Sequence, residues 1–105
     1  MKPEEFGLTV EVEEITPIRA SEYLNNNAKH REINQRKVEK LAGDLENQNW
    51  QLNGKVIIFD SNGRLLNGQH RLSACVASGK TLTTLVVRGV NPATFDEAKD
   101  YGQSV

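Results

Sequence analysis

Four consecutive residues, Gly68-Gln69-His70-Arg71, combine the side chains and the backbone that best suit chemistry on phosphate. A glycine between a predicted strand and a predicted helix permits a tight turn and lets a phosphate approach the backbone. Arg71 can grip two phosphate oxygens with its planar guanidinium. His70 can donate a hydrogen bond or move a proton near neutral pH, whereas Gln69 offers only an uncharged amide. We call residues 68–71 the box, and we predict phosphate binding there, with His70 and Arg71 as the catalytic candidates.

Two predicted helix starts carry basic residues where acidic residues are normally favoured. The helix macrodipole disfavours a cation in the first turn by about 0.3–1 kcal/mol. The box nevertheless opens one helix, and Arg36 and Lys37 follow the predicted N-cap Asn34 of another, with His30 and Arg31 just before it. One anion would satisfy both the backbone N–H groups and the cations. We therefore predict that Arg31, Arg36 and Lys37 assist the box. The alternative is a solvated helix surface on which the basic side chains of this helix, Arg36, Lys37 and Lys40, pair with Glu32, Glu39 or Asp44.

The elements that must position these residues predict a small α+β domain, a mixed sheet with packed helices. Alternation of Leu8, Val10 and Val12 with polar residues predicts a strand at 8–15 with one wet face. Further strands are predicted at 55–59, 64–66 and 81–88, with a turn at residues 60–63. Helices are predicted at 20–24, from the Asn34 cap to just before Trp50, at 68–78 and from 91 to about 99. Trp50 is expected to cover the core.

Length, charge and cysteine content limit the functional classes. A chain of 105 residues allows one domain, 1–105, with a core at about 8–90 and a C-terminal helix and tail at 91–105. The net charge of −1 gives the whole molecule no strong attraction to DNA, so an anion site must be local. The single cysteine, Cys75, is expected in the core. We find no zinc spacing, metal ligands, signal peptide or membrane-spanning run, and we predict a cytoplasmic protein.

Three segments together resemble the ParB/sulfiredoxin-like superfamily, especially the ParB-like nuclease domains of plasmids and phages. The first is the helix and its entry, Arg31-Glu32-Ile33-Asn34-Gln35-Arg36-Lys37-Val38 through to Trp50. The second is the hairpin that leads into the box, Ile57-Ile58-Phe59-Asp60-Ser61-Asn62-Gly63-Arg64-Leu65-Leu66, and the third is the strand at 82–87. The resemblance covers about residues 8–90. The resemblance implies a ParB/sulfiredoxin-like fold in which the box binds nucleotide phosphates. Regulators of DNA phosphorothioation have a similar Gly-Gln-His-Arg box.

The box also departs from the patterns of the superfamily. In partition proteins the box reads Gly-Glu-Arg-Arg and the ligand is CTP with magnesium, so Gln69 weakens the expectation of magnesium use and CTP hydrolysis. In sulfiredoxins it reads Gly-Cys-His-Arg, and Gln69 in place of the reactive cysteine argues against that activity. His70 and Arg71 match the sulfiredoxin phosphate-binding pair. No helix-turn-helix follows the box, so operator recognition by this chain alone is not supported.

Three hypotheses follow for function. The leading one is a module that binds CTP or another nucleoside triphosphate, with or without Mg²⁺, through residues 68–71. The second is a nuclease or nucleotide hydrolase that acts on nucleotides or nucleic acid with His70 as acid or base. The third is a nucleotide-switched interaction module, in which the C-terminal region contacts a second copy of the chain or a partner protein.

Overall fold

In the part of the chain that the structure describes, the protein is a small α+β domain in which a four-stranded mixed sheet packs against three α-helices. A computed structural model describes residues 1–27, 32–49 and 55–93. After a 3₁₀ turn at Pro3–Phe6, the elements in chain order are β1 Thr9–Ile15, α1 Pro17–Asn25, α2 Gln35–Glu46, β2 Val56–Asp60, β3 Leu65–Asn67, α3 Gln69–Ser78 and β4 Leu82–Val90. No helix in these ranges is long and apolar enough to cross a membrane.

The sheet has the strand order β1-β4-β2-β3. The central strand β4 runs antiparallel to β1, with Ile15 opposite Leu82, and parallel to β2, with Val56 opposite Leu85. The edge strand β3 returns antiparallel to β2. This order places the turn into α3 beside β2 at the sheet edge, and the box therefore lies at that edge.

The core lies between one face of the sheet and the helices. Its members are apolar side chains that are less than a tenth exposed: Ile15, Ala20, Val38, Ala42, Leu45, Ile57, Phe59, Leu65, Leu72, Ala74, Cys75, Leu82 and Val86. The predicted apolar face of α2 is confirmed, because Val38, Ala42 and Leu45 are buried and Leu41 packs against them. Small residues on α3 let it pack closely against its neighbours.

Cys75 is buried in the centre of this packing, as expected. Its Sγ lies 3.4 Å from the carbonyl oxygen of Ile15 and 3.1 Å from that of Lys80. Burial raises the pKa of the thiol, so the reactive thiolate is disfavoured. Cys75 thus joins α3 to the end of β1 as part of the core.

In β1 the polar side of the alternation faces the helices. Glu13 lies on the inner face with the buried Ile15, whereas Val10 and Val12 are 43% and 55% exposed. The inner glutamate is tolerated because two groups satisfy it: the Tyr23 hydroxyl donates to its Oε2 at 2.6 Å, and Arg88 Nη2 donates to its Oε1 at 3.0 Å. The alternation of residues along β1 cannot predict a partner such as Arg88, which lies far away in the sequence on the neighbouring strand β4.

Arg88 extends this cluster into an aromatic stack. Its guanidinium carbon lies 5.0 Å from the centre of the Phe59 ring, and the Tyr23 and Phe59 ring centres are 4.7 Å apart. Burial, followed by the hydrogen bond with Glu13, raises the pKa of Tyr23. The cluster therefore ties β1, α1, β2 and β4 together on the helix side of the sheet.

The hairpin before the box is braced at its turn by Asp60. This carboxylate is 2% exposed. Its Oδ1 accepts from the N–H groups of Asn62 and Arg64 at 2.8 and 2.9 Å, and its Oδ2 accepts from Arg64 Nε at 3.1 Å. The end of α1 also braces the hairpin, because Leu65 N–H donates to the Asn26 carbonyl at 2.8 Å.

Most predicted boundaries are within two residues of the observed ones. Two boundaries differ by more. The helix α1, predicted at 20–24, begins at Pro17 because the Thr16 hydroxyl accepts from Arg19 N–H at 3.2 Å and proline suits the first helical position. The helix α2, predicted to reach the residue before Trp50, ends at Glu46, where Asn47 is its C-cap. The predicted C-terminal helix is described only at Pro92 and Ala93. Its remainder and Trp50 lie outside the described residues.

Asp60→Asn should destabilise the protein most strongly at neutral pH. Burial alone would raise the pKa of Asp60, but hydrogen bonds from the backbone of Arg64 and Asn62 and the Arg64 charge outweigh it and lower the pKa. A carboxylate with a lowered pKa stabilises the fold above its unfolded pKa of about 3.9, and this stability is lost as the pH falls through the folded value. Urea unfolding at pH 7 should show a loss of about 1–2 kcal/mol.

The same measurement at pH 3 should show a smaller difference between wild type and Asp60→Asn. Asp44→Asn is the control, because Asp44 pairs with Lys40 at 3.5 Å on an exposed helix surface, where such pairs contribute little. A loss for Asp60→Asn that is the same at both pH values would contradict the assigned role of the charge.

Candidate functional site

Gly68 makes the turn from β3 into α3. Its φ of 114° lies in the left-handed region, which side-chain-bearing residues rarely adopt. A Cβ on Gly68 would also overlap the Cδ1 atom of Ile57. The glycine thus lets the backbone lie directly on β2, and it fixes the direction in which the first turn of α3 emerges.

The start of α3 differs from the starts of the other two helices. Thr16 caps α1 and Asn34 caps α2 through their side chains, whereas Gly68 gives α3 no side-chain cap. The first N–H groups of a helix have no partner within the helix. An anion at the start of α3 would therefore meet backbone donors and the positive end of the helix dipole.

Arg71 lies in this first turn with one nitrogen shielded from solvent. Within the described part of the chain, its Nη1 is buried and makes no hydrogen bond. Burial lowers the pKa of Arg71, yet an arginine stays protonated at neutral pH. A buried donor without an acceptor costs about 1–3 kcal/mol. A bound anion would remove this cost.

His70 joins the starts of α3 and α2. Its Nε2 accepts a hydrogen bond from the backbone N–H of Asn34 at 3.0 Å, and the Asn34 side chain in turn accepts from the N–H of Lys37 at 3.2 Å. The structure therefore brings together the two basic helix starts that the sequence singled out. In this arrangement the Nε2 lone pair is engaged by α2.

The basic residues of α2 are available on its surface. Arg36 and Lys37 are exposed, and neither forms an ion pair with any described residue, whereas Lys40 pairs with Asp44 at 3.5 Å. Pairing with acidic neighbours, the alternative weighed for these cations, thus applies to Lys40. His30 and Arg31 lie outside the described residues.

The donor set around the box suits an anion better than a cation. Gln69 supplies an amide, and Arg71, Arg36 and Lys37 supply positive charge. The structure contains, in its described ranges, no group of three or more His, Cys, Asp or Glu side chains that could hold a metal ion. Magnesium prefers carboxylates and phosphate oxygens, and the box itself supplies no carboxylate.

The sequence did not indicate the bond between His70 and Asn34. Asn34 was identified as an N-cap from its own helix, and His70 as a phosphate ligand from its own box. The two are 36 positions apart, so neither helical spacing nor a local motif relates them. Only the packing of α2 against α3 brings the Asn34 N–H to the imidazole.

Gly68→Ala should destabilise the protein more than Gly79→Ala. Both glycines have positive φ, 114° and 69°, but a Cβ on Gly79 meets no atom within 4 Å. Alanine at Gly79 should cost about 1 kcal/mol for its backbone conformation, and alanine at Gly68 about 2 kcal/mol or more, because the buried Ile57 must also move. Urea unfolding measures both. Equal losses would show that the contact with Ile57 is not restrictive.

Replacing Arg71 by methionine should leave stability unchanged or raise it by up to about 1 kcal/mol, because the buried Nη1 donor without an acceptor disappears while the unbranched stem remains. Arg64→Met is the matched control: it removes the bond from Nε to the buried Asp60 carboxylate and should lower stability by about 1 kcal/mol. Both changes are measured by urea unfolding. A clear loss of stability in Arg71→Met would show that this guanidinium serves the fold.

No protein-family model, curated protein or solved structure matches this chain. The relation to the ParB/sulfiredoxin-like superfamily therefore stays a resemblance carried by the residues named above. A functional assignment rests on the geometry and charge of residues 68–71 and of the start of α2.

Proposed function

We propose that the protein binds the phosphates of a nucleotide at the start of α3. The observation that carries this proposal is the buried Nη1 of Arg71, which has no hydrogen-bond acceptor among the described residues. Burying a cation without a partner is unfavourable, and such local costs concentrate at functional sites. A phosphate oxygen would supply the missing acceptor in a charge-assisted hydrogen bond.

The second element of the proposed site is the start of α2. The bond from Asn34 N–H to His70 holds it against α3, and Arg36 and Lys37 project from it with exposed side chains. Cations from a neighbouring helix would surround a ligand that Arg71 and the α3 backbone bind from one side. Such an arrangement suits an extended, multiply charged group such as a triphosphate better than a single phosphate.

The nature of the ligand follows from the resemblance stated above. We propose a ParB/sulfiredoxin-like domain whose ligand is CTP or another nucleoside triphosphate. Gln69 stands where partition proteins carry a glutamate, and the surrounding donors are amides and cations. The proposed binding therefore does not require a metal ion held by the protein.

Binding is better supported than catalysis. A general base needs a lone pair directed at the proton that it removes, but His70 Nε2 already accepts from Asn34 N–H. Metal-assisted cleavage of a phosphodiester uses carboxylates to hold the ions, and the box carries an amide at Gln69 where such a carboxylate would stand. We therefore favour a binding module over a nuclease or nucleotide hydrolase.

Isothermal titration calorimetry with CTP, ATP, GTP and UTP tests the proposal. Each titration is run once with magnesium and once with EDTA. At least one nucleotide should bind in both conditions. Arg71→Ala should weaken this binding by about 30-fold, which corresponds to about 2 kcal/mol for charge-assisted hydrogen bonds to phosphate.

Arg19→Ala is the matched control for the change in charge. Arg19 lies on α1, is exposed and pairs with Glu22 at 3.8 Å, so its loss should alter affinity by less than about twofold. Absence of heat with all four nucleotides would overturn the proposal. An equal loss in both arginine variants would indicate general attraction by charge, without a specific site.

A further inference from the structure

The bond between His70 and Asn34 lies at one end of a short chain of hydrogen bonds. Asn34 uses its backbone N–H to donate to His70 Nε2 at 3.0 Å and its side-chain Oδ1 to accept from Lys37 N–H at 3.2 Å. Asn34 thus joins the imidazole of α3 to the first turn of α2. The side chains of Arg36 and Lys37 start from the turn that this chain of bonds holds.

The chemistry of imidazole restricts when this chain can exist. Neutral histidine has one donor and one acceptor nitrogen, whereas the protonated ring has two donors and no acceptor. Since Nε2 accepts from Asn34, the ring proton lies on Nδ1. Protonation would place an N–H of His70 against the N–H of Asn34, and the bond would be lost.

We infer that His70 is a positioning residue, which holds the start of α2 beside Arg71 and releases it when the imidazole becomes protonated. This inference rests on the proposed function for its effect on ligand binding. The role differs from direct contact between His70 and phosphate, because the imidazole acts on the ligand through Asn34. Its consequence is affinity that depends on a neutral His70.

The charges around His70 belong to the elements packed at this junction. The charged residues on these elements are Arg19 and Glu22 on α1, which pair with each other, Glu32 before α2, Arg36, Lys37, Glu39, Lys40, Asp44 and Glu46 on α2, and Arg71 on α3. His30 and Arg31 lie outside the described residues. A direct phosphate ligand and a positioning residue respond to acid in opposite ways here. A cationic His70 that touched the anion would bind it more tightly, whereas loss of the bond to Asn34 would weaken binding.

The test compares wild type, His70→Gln and His70→Ala at pH 8.0 and pH 5.5, with CTP as the probe. Glutamine reaches as far as Nε2 with an acceptor oxygen and does not titrate. At pH 8.0, His70→Gln should bind CTP within about twofold of wild type, and His70→Ala about fivefold more weakly, the effect of one hydrogen bond. Between pH 8.0 and pH 5.5, the affinity of wild type for CTP should fall about fivefold more than the affinity of His70→Gln. Because CTP is protonated equally in both titrations, the ratio of the two affinities does not depend on the protonation of CTP.

Two outcomes would overturn the inference. In one, wild type binds CTP more tightly in acid relative to His70→Gln; in the other, His70→Gln binds CTP as weakly as His70→Ala at pH 8.0.

A measurement without ligand separates this inference from the proposed function. At pH 8.0, His70→Ala should lower Tm by about 4–8 °C and His70→Gln should not, and the difference should shrink at pH 5.5. If Tm follows this pattern but wild type binds no CTP, the positioning role stands and the proposed binding of CTP is wrong. If Tm is unchanged in His70→Ala, the positioning role itself is wrong.

Discussion

Between β3 and α3 the chain must turn from strand to helix at a single residue, Gly68, while its backbone lies against Ile57. Only glycine meets both conditions at Gly68, where φ is 114° and a Cβ would overlap the isoleucine side chain. The turn determines the axis of α3, and through it the position of Arg71 and the side of α2 that His70 reaches. The Asp60 carboxylate and the Asn26 carbonyl hold the hairpin that delivers the chain to this point. The box is thus a short segment whose geometry is set mainly by residues outside it.

The starts of α2 and α3 are energetically unfavourable, whereas the packing of the core is favourable. The sheet and helices bury apolar side chains and satisfy even the inward-facing Glu13 through Tyr23 and Arg88. At the starts of α2 and α3, by contrast, two positive helix-dipole ends lie together and carry cations, and one guanidinium nitrogen is buried without an acceptor among the described residues. Like charges at such positions are unfavourable. The core compensates for this local cost, and under the proposed function the same cost would become a source of affinity for an anion.

Hydrophobic periodicity and turn residues were sufficient to predict the order of elements, the apolar face of α2 and the Asn34 cap. They also predicted β1, but they did not show that the side with Glu13 faces inward, because that orientation depends on Ile15 and on Arg88 from another strand. They also shortened α1, whose start depends on the Thr16 cap. For the site, dipole reasoning singled out both basic helix starts, but the bond from Asn34 to His70 depends on tertiary packing that no local pattern encodes. Sequence spacing can therefore predict which residues belong to this candidate site, but it does not show which of them form hydrogen bonds with each other.

The location of Cys75 gives the molecule a built-in reporter of its own motions. It is the only thiol in the chain and is buried between α3 and the end of β1. A thiol reagent can reach it only when α3 separates from the sheet, so the rate of modification in native conditions measures that opening. Local unfolding around α3 can thus be followed at one sulfur atom, without adding a label to the protein. If the proposed ligand ties α2 to α3, its binding would slow this modification.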